Sequence, residues 1–296
     1  EDAACMIFTS GTTSLPKGIL LSHEQLINNS RAMVEAMHWG ASDKMCITVP
    51  LFHCFGITAG VIACITGGMD MCLIPYFRTA HVWDAIEKYE CTILNGVPSM
   101  FLALIRKPQY AQRKAPKLKS GIIAGSPCTP EDFLEICRRF PHMHLQPSYG
   151  QTETSPCIAI ADWDDPNEVK AVSAGHVIGH VETRIMDLDS GALVADGQDG
   201  EIQVRGYNVM MGYYNLPEAN AKVFTEDGWL RTGDVGHFDE RKELHITGRI
   251  KEMIIRAGEN ISPREIEHAI RRYEGIAFRY FFPEHPQAIF HKVVGD

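Results

Sequence analysis

The segment from Thr9 to Gly18, TSGTTSLPKG, gathers hydroxyl side chains, two glycines and one lysine directly behind the apolar run ACMIF. Hydroxyls, backbone N–H groups and an ammonium are donors that surround phosphate oxygens, and Gly11 would let the backbone approach them closely. A Walker A loop is excluded, because GxxxxGK[ST] needs a glycine where Pro16 stands and a hydroxyl residue where Gly18 stands. The segment therefore predicts a phosphate-binding loop, with an ordinary polar turn between a strand and a helix as the alternative.

Three further segments combine glycines with polar and charged residues: SYGQTETSP at 148–156, DGWLRTGDVG at 227–236 and GRIKEMIIRAGENISP at 248–263. Together with TSGTTSLPKG they resemble, in identity, order and spacing, the adenylate-forming (AMP-binding) superfamily of acyl-CoA synthetases, luciferases and peptide-synthetase adenylation domains. The intervening segments PLFHCFG, LNGVPSMF and GIIAGSPCTPE are most similar to medium- and long-chain fatty acyl-CoA synthetases. The resemblance covers the chain up to about residue 272.

The resemblance implies that the phosphate loop binds ATP. Lys17 would be a mobile cation, and the β- and γ-phosphates would be held by the remaining loop residues Thr9, Ser10, Gly11, Thr12 and Thr13. Ser14 departs from the family, which usually has glycine there. If that position needs a positive φ, serine costs stability or alters the loop.

The resemblance also assigns the adenine and metal contacts. Tyr149 would stack on adenine beside Gly150, and the opposite wall would be main chain of Gly125, Ser126 and Pro127. Thr152 would contact the α-phosphate. Glu153 would ligate Mg²⁺, a hard cation that takes oxygen ligands and commonly uses a carboxylate together with phosphate oxygens.

Five further residues receive roles by the same resemblance. Asp234 would accept both ribose hydroxyls, which suits the two oxygens of a carboxylate, and Arg249 would reach the ribose and phosphates. Lys251 would be the hinge of a small C-terminal domain. His53 would lie at the mouth of an acyl tunnel, with a satisfied core histidine as the alternative. Gly258 would let the pantetheine arm of coenzyme A pass close to the backbone, although a bare glycine in a hairpin is usually a turn.

The elements that must position these residues change in character along the chain. From Ala4 to Pro147, short apolar runs alternate with helical segments, which predicts an α/β fold of parallel strands with flanking helices. After about Trp163, short strands alternate with Gly, Asp and Asn turns, which predicts a β-rich, barrel-like subdomain. The predicted units are 1–165 (nucleotide-binding part of the large domain), 166–248 (β-rich subdomain) and 249–296 (start of a small α+β C-terminal domain).

The composition of the chain limits the classes of partner that it is expected to bind. The chain has 296 residues, 45% hydrophobic and 22% charged, and a net charge of −9, which favours a globular protein over a nucleic-acid or anionic-membrane binder. Nine cysteines without CxxC spacing predict reduced thiols of a cytoplasmic protein. The apolar stretch 45–69 contains proline and glycines that break it, so no integral membrane span is predicted.

The function that the family resemblance implies is an ATP-dependent acyl-CoA synthetase, which uses Mg²⁺ and coenzyme A and acts on a carboxylic acid, foremost a fatty acid, through acyl-AMP. One alternative is an adenylating domain that loads a carrier protein; another is a non-catalytic nucleotide-binding module. The sequence leaves the oligomeric state of the protein undecided, and a homodimer is one of the alternatives. Because Lys292 does not match the family's P-x-x-x-x-G-K segment and no large portion precedes the phosphate loop, weak or absent adenylation is expected of this chain alone.

Overall fold

The computed structural model describes residues 2–9, 16–252, 254–256 and 259–261. The predictions for Ser10–Ser14 and Gly258, and the part of the predicted C-terminal unit after residue 261, lie outside the described residues. The strands are β1 (Ala3–Thr9), β2 (Lys17–Ser22), β3 (Lys44–Ile47), β4 (Asp70–Leu73), β5 (Ile93–Asn95), β6 (Ser120–Ile123), β7 (His144–Tyr149), β8 (Ala159–Ile160), β9 (His176–Val177), β10 (Val181–Met186), β11 (Gly200–Gly206), β12 (Gly212–Tyr213), β13 (Leu230–Phe238), β14 (Leu244–Arg249), β15 (Ile254–Arg256) and β16 (Glu259–Ile261).

Helices connect most of the parallel strands. The α-helices are α1 (His23–Ala36), α2 (Cys54–Gly56), α3 (Ala63–Gly67), α4 (Thr79–Tyr89), α5 (Pro98–Ile105), α6 (Pro130–Arg139), α7 (Asn167–Lys170) and α8 (Pro217–Val223). A π-helical segment spans Ile57–Ile62, and single 3₁₀ turns span Pro108–Tyr110, Thr152–Thr154 and Ile250–Glu252. None of the helices in the described part of the chain is long and apolar enough to cross a bilayer.

The largest sheet has seven strands in the order β4-β3-β5-β6-β7-β8-β9. The pairs from β4 to β7 are parallel, and β8 and β9 add antiparallel at one edge. Side chains alternate between its faces, so Met45 packs with Met33 of α1 while Cys46 packs with Trp83 and Phe133 of α4 and α6. The predicted parallel sheet with helices on both faces is confirmed.

Two helix starts show why the sequence folds this way locally. Ser22 with Gln25 three residues later predicts a capping box, and Thr129 followed by Pro130 predicts a second helix start. In the structure Ser22 Oγ accepts a hydrogen bond from the Gln25 N–H at 3.2 Å, and the Ser22 N–H donates to Gln25 Oε1 at 2.7 Å, which completes the capping box of α1. Thr129 Oγ1 accepts from the Asp132 N–H at 3.2 Å, and α6 begins with Pro130. These caps fix where the preceding loops end.

Besides the two-stranded hairpin β15-β16, two antiparallel sheets complete the described fold. Strands β10-β11-β13-β14 form one, in the range predicted to be β-rich, while the boundaries at 165 and 248 stay a prediction. Strands β1-β2-β12 form the other. The apolar run ACMIF was expected among the parallel strands; instead it pairs antiparallel with β2, Thr9 opposite Lys17. The predicted phosphate loop therefore joins two strands of a hairpin, not a strand and a helix, because β2 returns directly alongside β1.

Candidate active site

A cleft of about 590 Å³ opens where the carboxyl ends of β6 and β7 approach β13 and the turn at Ile250–Glu252. It brings together residues from distant parts of the chain. Ten predicted site residues line it: Thr9, Lys17, His53, Gly125, Gly150, Thr152, Glu153, Asp234, Arg249 and Lys251. Tyr149, Ser126 and Pro127 adjoin lining residues in sequence but are not part of the cleft wall in this structure.

A second, larger cavity of about 680 Å³ lies between α1 and β9, lined by Glu24, Arg31, Asp162 and His176 among others. It contains none of the predicted site residues. Size alone does not identify a site, whereas the smaller cleft lies at the carboxyl ends of parallel strands, where ligands bind in open α/β sheets. We therefore assign the candidate active site to the smaller cleft.

The cleft has the opposite charge balance to the chain as a whole. Its lining contains five cations, Lys17, Lys222, Arg231, Arg249 and Lys251, against three carboxylates, Glu153, Glu201 and Asp234. The complete chain carries a net charge of −9. Because a recessed surface with an excess of positive charge focuses the electric field, this cleft favours anions although the chain as a whole is acidic.

Asp234 is held by two partners at one end of the cleft. It is 4% exposed, and strand pairing places it opposite Arg249. Its Oδ2 accepts a hydrogen bond from the Tyr149 hydroxyl at 2.8 Å, and its Oδ1 lies 2.9 Å from Arg249 Nε. Burial and the Asp234 charge raise the pKa of Tyr149, so the phenol stays protonated and donates. The carboxylate is thus oriented before any ligand arrives.

The predicted adenine wall is only partly in place. The Tyr149 ring is half-buried and packs against the hydrophobic core rather than lining the cleft. Gly125 does line the cleft and has φ +83°, in the left-handed region that favours glycine. Ser126 and Pro127 are exposed. Stacking of a base on Tyr149 therefore stays a prediction.

Glu153 has a partner that the sequence did not reveal. The Tyr213 hydroxyl donates to Glu153 Oε1 at 2.8 Å, and Lys17 Nζ lies 4.6 Å from the centroid of the Tyr213 ring. Burial, followed by the Glu153 charge, raises the pKa of Tyr213, which keeps it a donor. Tyr213 reaches the site because β12 pairs with β2, Tyr213 opposite Ile19, a long-range pairing that no local pattern signals.

The wall around His53 is more apolar. His53 Nδ1 accepts a hydrogen bond from the Phe55 N–H at 3.2 Å and so caps α2. Desolvation lowers the pKa of His53, which favours its neutral form although the side chain reaches the surface. Burial raises the pKa of Cys54 to about 11, so this thiol is protonated at neutral pH. The apolar residues Met33, Phe55, Ile122 and Ala124 line the same cleft.

A group of three potential metal ligands lies outside the cleft wall. Within the described residues, the ligand atoms of Asp239, Glu243 and His245 come within 4.8 Å of one another. Asp239 already accepts from His245 Nε2 at 3.1 Å, and Glu243 Oε1 lies 3.0 Å from Arg241 Nη2. An adjacent guanidinium disfavours a cation, so we read this group as an ion-pair network on the β13–β14 hairpin.

The sequence of this chain is similar to a known enzyme family and to curated proteins of that family. Residues 1–214 match the family described as AMP-binding enzyme. YngI of Bacillus subtilis (strain 168), named as an acyl-CoA synthetase, is 40% identical over 290 residues, 98% of this chain and 51% of YngI. Human mitochondrial medium-chain acyl-CoA ligase ACSF2 is 36% identical over 293 residues, 97% of this chain and 46% of ACSF2. The chain thus spans about half the length of the curated relatives it matches.

A solved structure agrees with the sequence relatives. O-succinylbenzoate coenzyme A synthetase (MenE) from Bacillus subtilis, in complex with ATP and a magnesium ion, superposes with a TM-score of 0.84. The two chains are 30% identical, and the alignment covers 94% of this chain and 56% of that one. A solved protein with the same fold is therefore known in complex with ATP and a magnesium ion.

Proposed function

This chain belongs to the AMP-binding enzyme family, and we propose that the gene product carrying it is an ATP-dependent acyl-CoA synthetase acting through an acyl-AMP intermediate. The observation that carries the proposal is the cleft itself. Five cations line the cleft together with the half-buried Glu153 and the buried Asp234, in a protein of net negative charge. This arrangement suits a polyanion that also carries hydroxyl donors, as ATP does.

The reaction explains why such a cleft is needed. A carboxylate is a poor electrophile because its charge is delocalised and its oxygen is a poor leaving group. One carboxylate oxygen attacks the α-phosphorus of ATP, the bond from that phosphorus to the bridging oxygen of the β-phosphate breaks, and pyrophosphate leaves. The thiol of coenzyme A then attacks the acyl carbon and displaces AMP. Both steps ask the protein mainly for positioning and charge neutralisation.

The residues of the cleft divide this work. Lys17 and Arg249 offset phosphate charge from two sides, and Asp234 accepts hydroxyl donors at the end held by Tyr149. Glu153 would hold Mg²⁺, which when bound neutralises charge on phosphate oxygens. The structure fits this role, because the hydrogen bond from Tyr213 goes to Oε1 and no described residue donates to Oε2. Lys251 lies on the 3₁₀ turn that borders the cleft.

The apolar part of the cleft wall is suited to the hydrocarbon chain of a carboxylic acid substrate. Met33, Phe55, Ile122 and Ala124 offer hydrocarbon contacts, and a neutral His53 adds no charge. Such a wall favours an aliphatic chain over a second carboxylate, because an unpaired charge is costly to desolvate there. We propose a fatty acid as the substrate class and coenzyme A as the acceptor.

Asp234→Asn weakens nucleotide binding by about 10- to 100-fold, because a charged hydrogen bond contributes about 1.5–3 kcal/mol. Isothermal titration with Mg²⁺·ATP measures the change. The matched control is Asp227→Asn, since Asp227 is exposed and pairs with Arg184 away from the cleft. Equal affinities of the two variants for Mg²⁺·ATP would show that Asp234 does not contribute to nucleotide binding.

Tyr213→Phe removes the hydroxyl that orients Glu153 and keeps the ring under Lys17. Partners of metal ligands typically affect metal affinity by about 10- to 100-fold, so we expect half-maximal activity to need at least about tenfold more Mg²⁺. Titration of initial rate against Mg²⁺ measures this. Tyr214→Phe is the control, because Tyr214 is exposed; an unchanged Mg²⁺ dependence in Tyr213→Phe would contradict the positioning role.

The proposed function is tested by detecting the products of the reaction. The gene product is incubated with ATP, Mg²⁺ and fatty acids of four to eighteen carbons, with and without coenzyme A, and acyl-AMP and acyl-CoA are followed by mass spectrometry. Thioester that forms only with coenzyme A supports the proposal. If acyl-AMP accumulates and is not consumed when coenzyme A is added, the acceptor would be a carrier protein. Absence of both products would contradict the proposed enzymatic activity.

A further inference from the structure

The turn that carries Glu153 has little regular structure of its own. It contains the single 3₁₀ turn Thr152–Thr154, and Ser155 directly after it is fully buried with φ +70°. Because serine rarely adopts this left-handed conformation, the surrounding structure must hold it there. The Ile158 N–H donates to the Tyr149 carbonyl at 2.8 Å, which joins the two arms of the turn. The turn therefore needs contacts from other parts of the chain to keep one geometry.

Asn29 on α1 provides two such contacts. Its Nδ2 donates to the Cys157 carbonyl at 2.8 Å, and its Oδ1 accepts from the Cys157 N–H at 3.1 Å. One side-chain amide thus pairs with both backbone polar groups of a residue that lies 128 positions further along the chain. Asn29 is fully buried and Cys157 is 1% exposed, so water does not compete for these groups. Since a buried polar group without a partner is costly, the pairing holds this arm of the turn in place.

The loop before β12 also supports the turn. Asn208 Nδ2 donates to the same Cys157 carbonyl at 2.9 Å, and Ser155 Oγ donates to the Asn208 carbonyl at 2.8 Å. The Met210 N–H donates to the Glu153 carbonyl at 2.8 Å. These bonds attach the turn to a loop, whereas the amide contacts described above attach it to a helix of 14 residues. Because a helix holds a site more precisely than a loop does, α1 is the firmer of the two supports.

Helix α1 also connects this turn to the phosphate hairpin. It begins at His23, immediately after β2, the strand whose first residue is Lys17. The capping box at Ser22 fixes the junction between strand and helix. Lys17 and Glu153 both line the cleft, and both contact Tyr213. A residue that attaches the turn to α1 therefore helps to set where the carboxylate lies relative to the lysine.

We propose that Asn29 is a positioning residue for the candidate metal ligand Glu153. Its two hydrogen bonds to Cys157 keep the turn in the geometry that places the Glu153 carboxylate in the cleft wall. The inference rests on the proposed function, in which this carboxylate holds the Mg²⁺ that accompanies ATP. Asn29 itself is not part of the cleft wall in this structure, so it acts through the backbone of the turn. Loss of its amide should weaken the contribution of Mg²⁺ to ATP binding more than it weakens binding of ATP alone.

The test compares Asn29→Ala and Asn29→Leu with the native gene product. Neither variant can make the two hydrogen bonds, and leucine fills the space if the cavity left by alanine prevents folding. Isothermal titration gives the affinity for ATP with saturating Mg²⁺ and in EDTA, and the ratio of the two affinities measures the contribution of the metal. Residues that orient metal ligands typically affect metal affinity by about 10- to 100-fold, so we expect this ratio to fall by about tenfold or more.

Ser30→Ala is the matched control. Ser30 is the next residue of the same helix and is equally buried, but its hydroxyl lies 3.4 Å from Thr66 Oγ1 on α3. Thermal unfolding of every variant gives its loss of stability, which a merely structural residue would also cause. We expect the affinity ratio of Ser30→Ala to remain native, even if its Tm falls.

Three results would contradict the positioning role. A native affinity ratio in the Asn29 variants, whatever their Tm, would overturn it and leave the proposed function intact. An equal fall of the ratio in Ser30→Ala would also overturn it, because the effect would then belong to any weakening of α1. If the native protein binds ATP no better with Mg²⁺ than in EDTA, the proposed function fails, and this inference fails with it.

Discussion

Glu153→Gln lowers the rate of acid-dependent pyrophosphate release by about 100- to 1,000-fold, because a metal's charge stabilisation contributes several kcal/mol to such reactions. The substitution removes the negative charge that a hard cation needs and keeps the size of the side chain. The amide oxygen can still accept from the Tyr213 hydroxyl, which lies 2.8 Å from Oε1 in the native protein. We therefore expect the variant to fold normally.

The control for this prediction is Glu226→Gln, since Glu226 is exposed and outside the cleft wall. Pyrophosphate release is measured over a range of Mg²⁺ concentrations, together with ATP binding in the absence of the metal. The expected pattern is a large loss of rate with little change in metal-free binding. A Glu153→Gln variant that retains the native rate would show that this carboxylate does not hold the metal.

Gly150→Ala destabilises the protein and removes nucleotide binding. A β-carbon at Gly150 would lie 1.7 Å from the Pro156 carbonyl oxygen, 2.6 Å from its carbon and 3.1 Å from Cys157 Cα. All three atoms are backbone, so the turn that carries Thr152 and Glu153 must move. Overpacking costs about 1–3 kcal/mol and occasionally more, which corresponds to a fall in Tm of roughly 2–12 °C.

Gly179→Ala is the matched control, because nothing lies within 4 Å of the β-carbon position there. Differential scanning calorimetry of both variants, with and without Mg²⁺·ATP, gives Tm and the stabilisation that the ligand provides. We expect Gly179→Ala to behave as the native protein and Gly150→Ala to lose the ligand-dependent rise in Tm. A native Tm and a native ligand shift in Gly150→Ala would contradict the role of this glycine.

The sequence was informative where chemistry and local structure are encoded in short segments. The alternation of apolar runs predicted the parallel sheet, and the side chains of Ser22 and Thr129 predicted where α1 and α6 begin. The four glycine-rich segments predicted residues that the fold brings to one cleft, Lys17, Glu153 and Asp234 among them. Each of these signals lies within a few residues of the feature that it predicts.

The sequence was less informative where a feature depends on distant pairing. Tyr213 contacts Glu153 because β12 pairs with β2, and the ACMIF strand joins the same antiparallel sheet instead of the parallel one. The Tyr149 hydroxyl donates a hydrogen bond to Asp234, which lies 85 residues further along the chain. Such pairings are selected by burial and by competition between strands, which local periodicity does not report.

Exchange of labelled pyrophosphate into ATP is the decisive experiment for carboxylate adenylation, because it follows the first half-reaction without coenzyme A. The gene product carrying this sequence is incubated with ATP, Mg²⁺, labelled pyrophosphate and a fatty acid. We expect label to appear in ATP only when both the acid and Mg²⁺ are present, and to be lost in Glu153→Gln. ATP that binds yet exchanges no label with any acid, or label that appears equally without acid, would contradict carboxylate adenylation in this cleft.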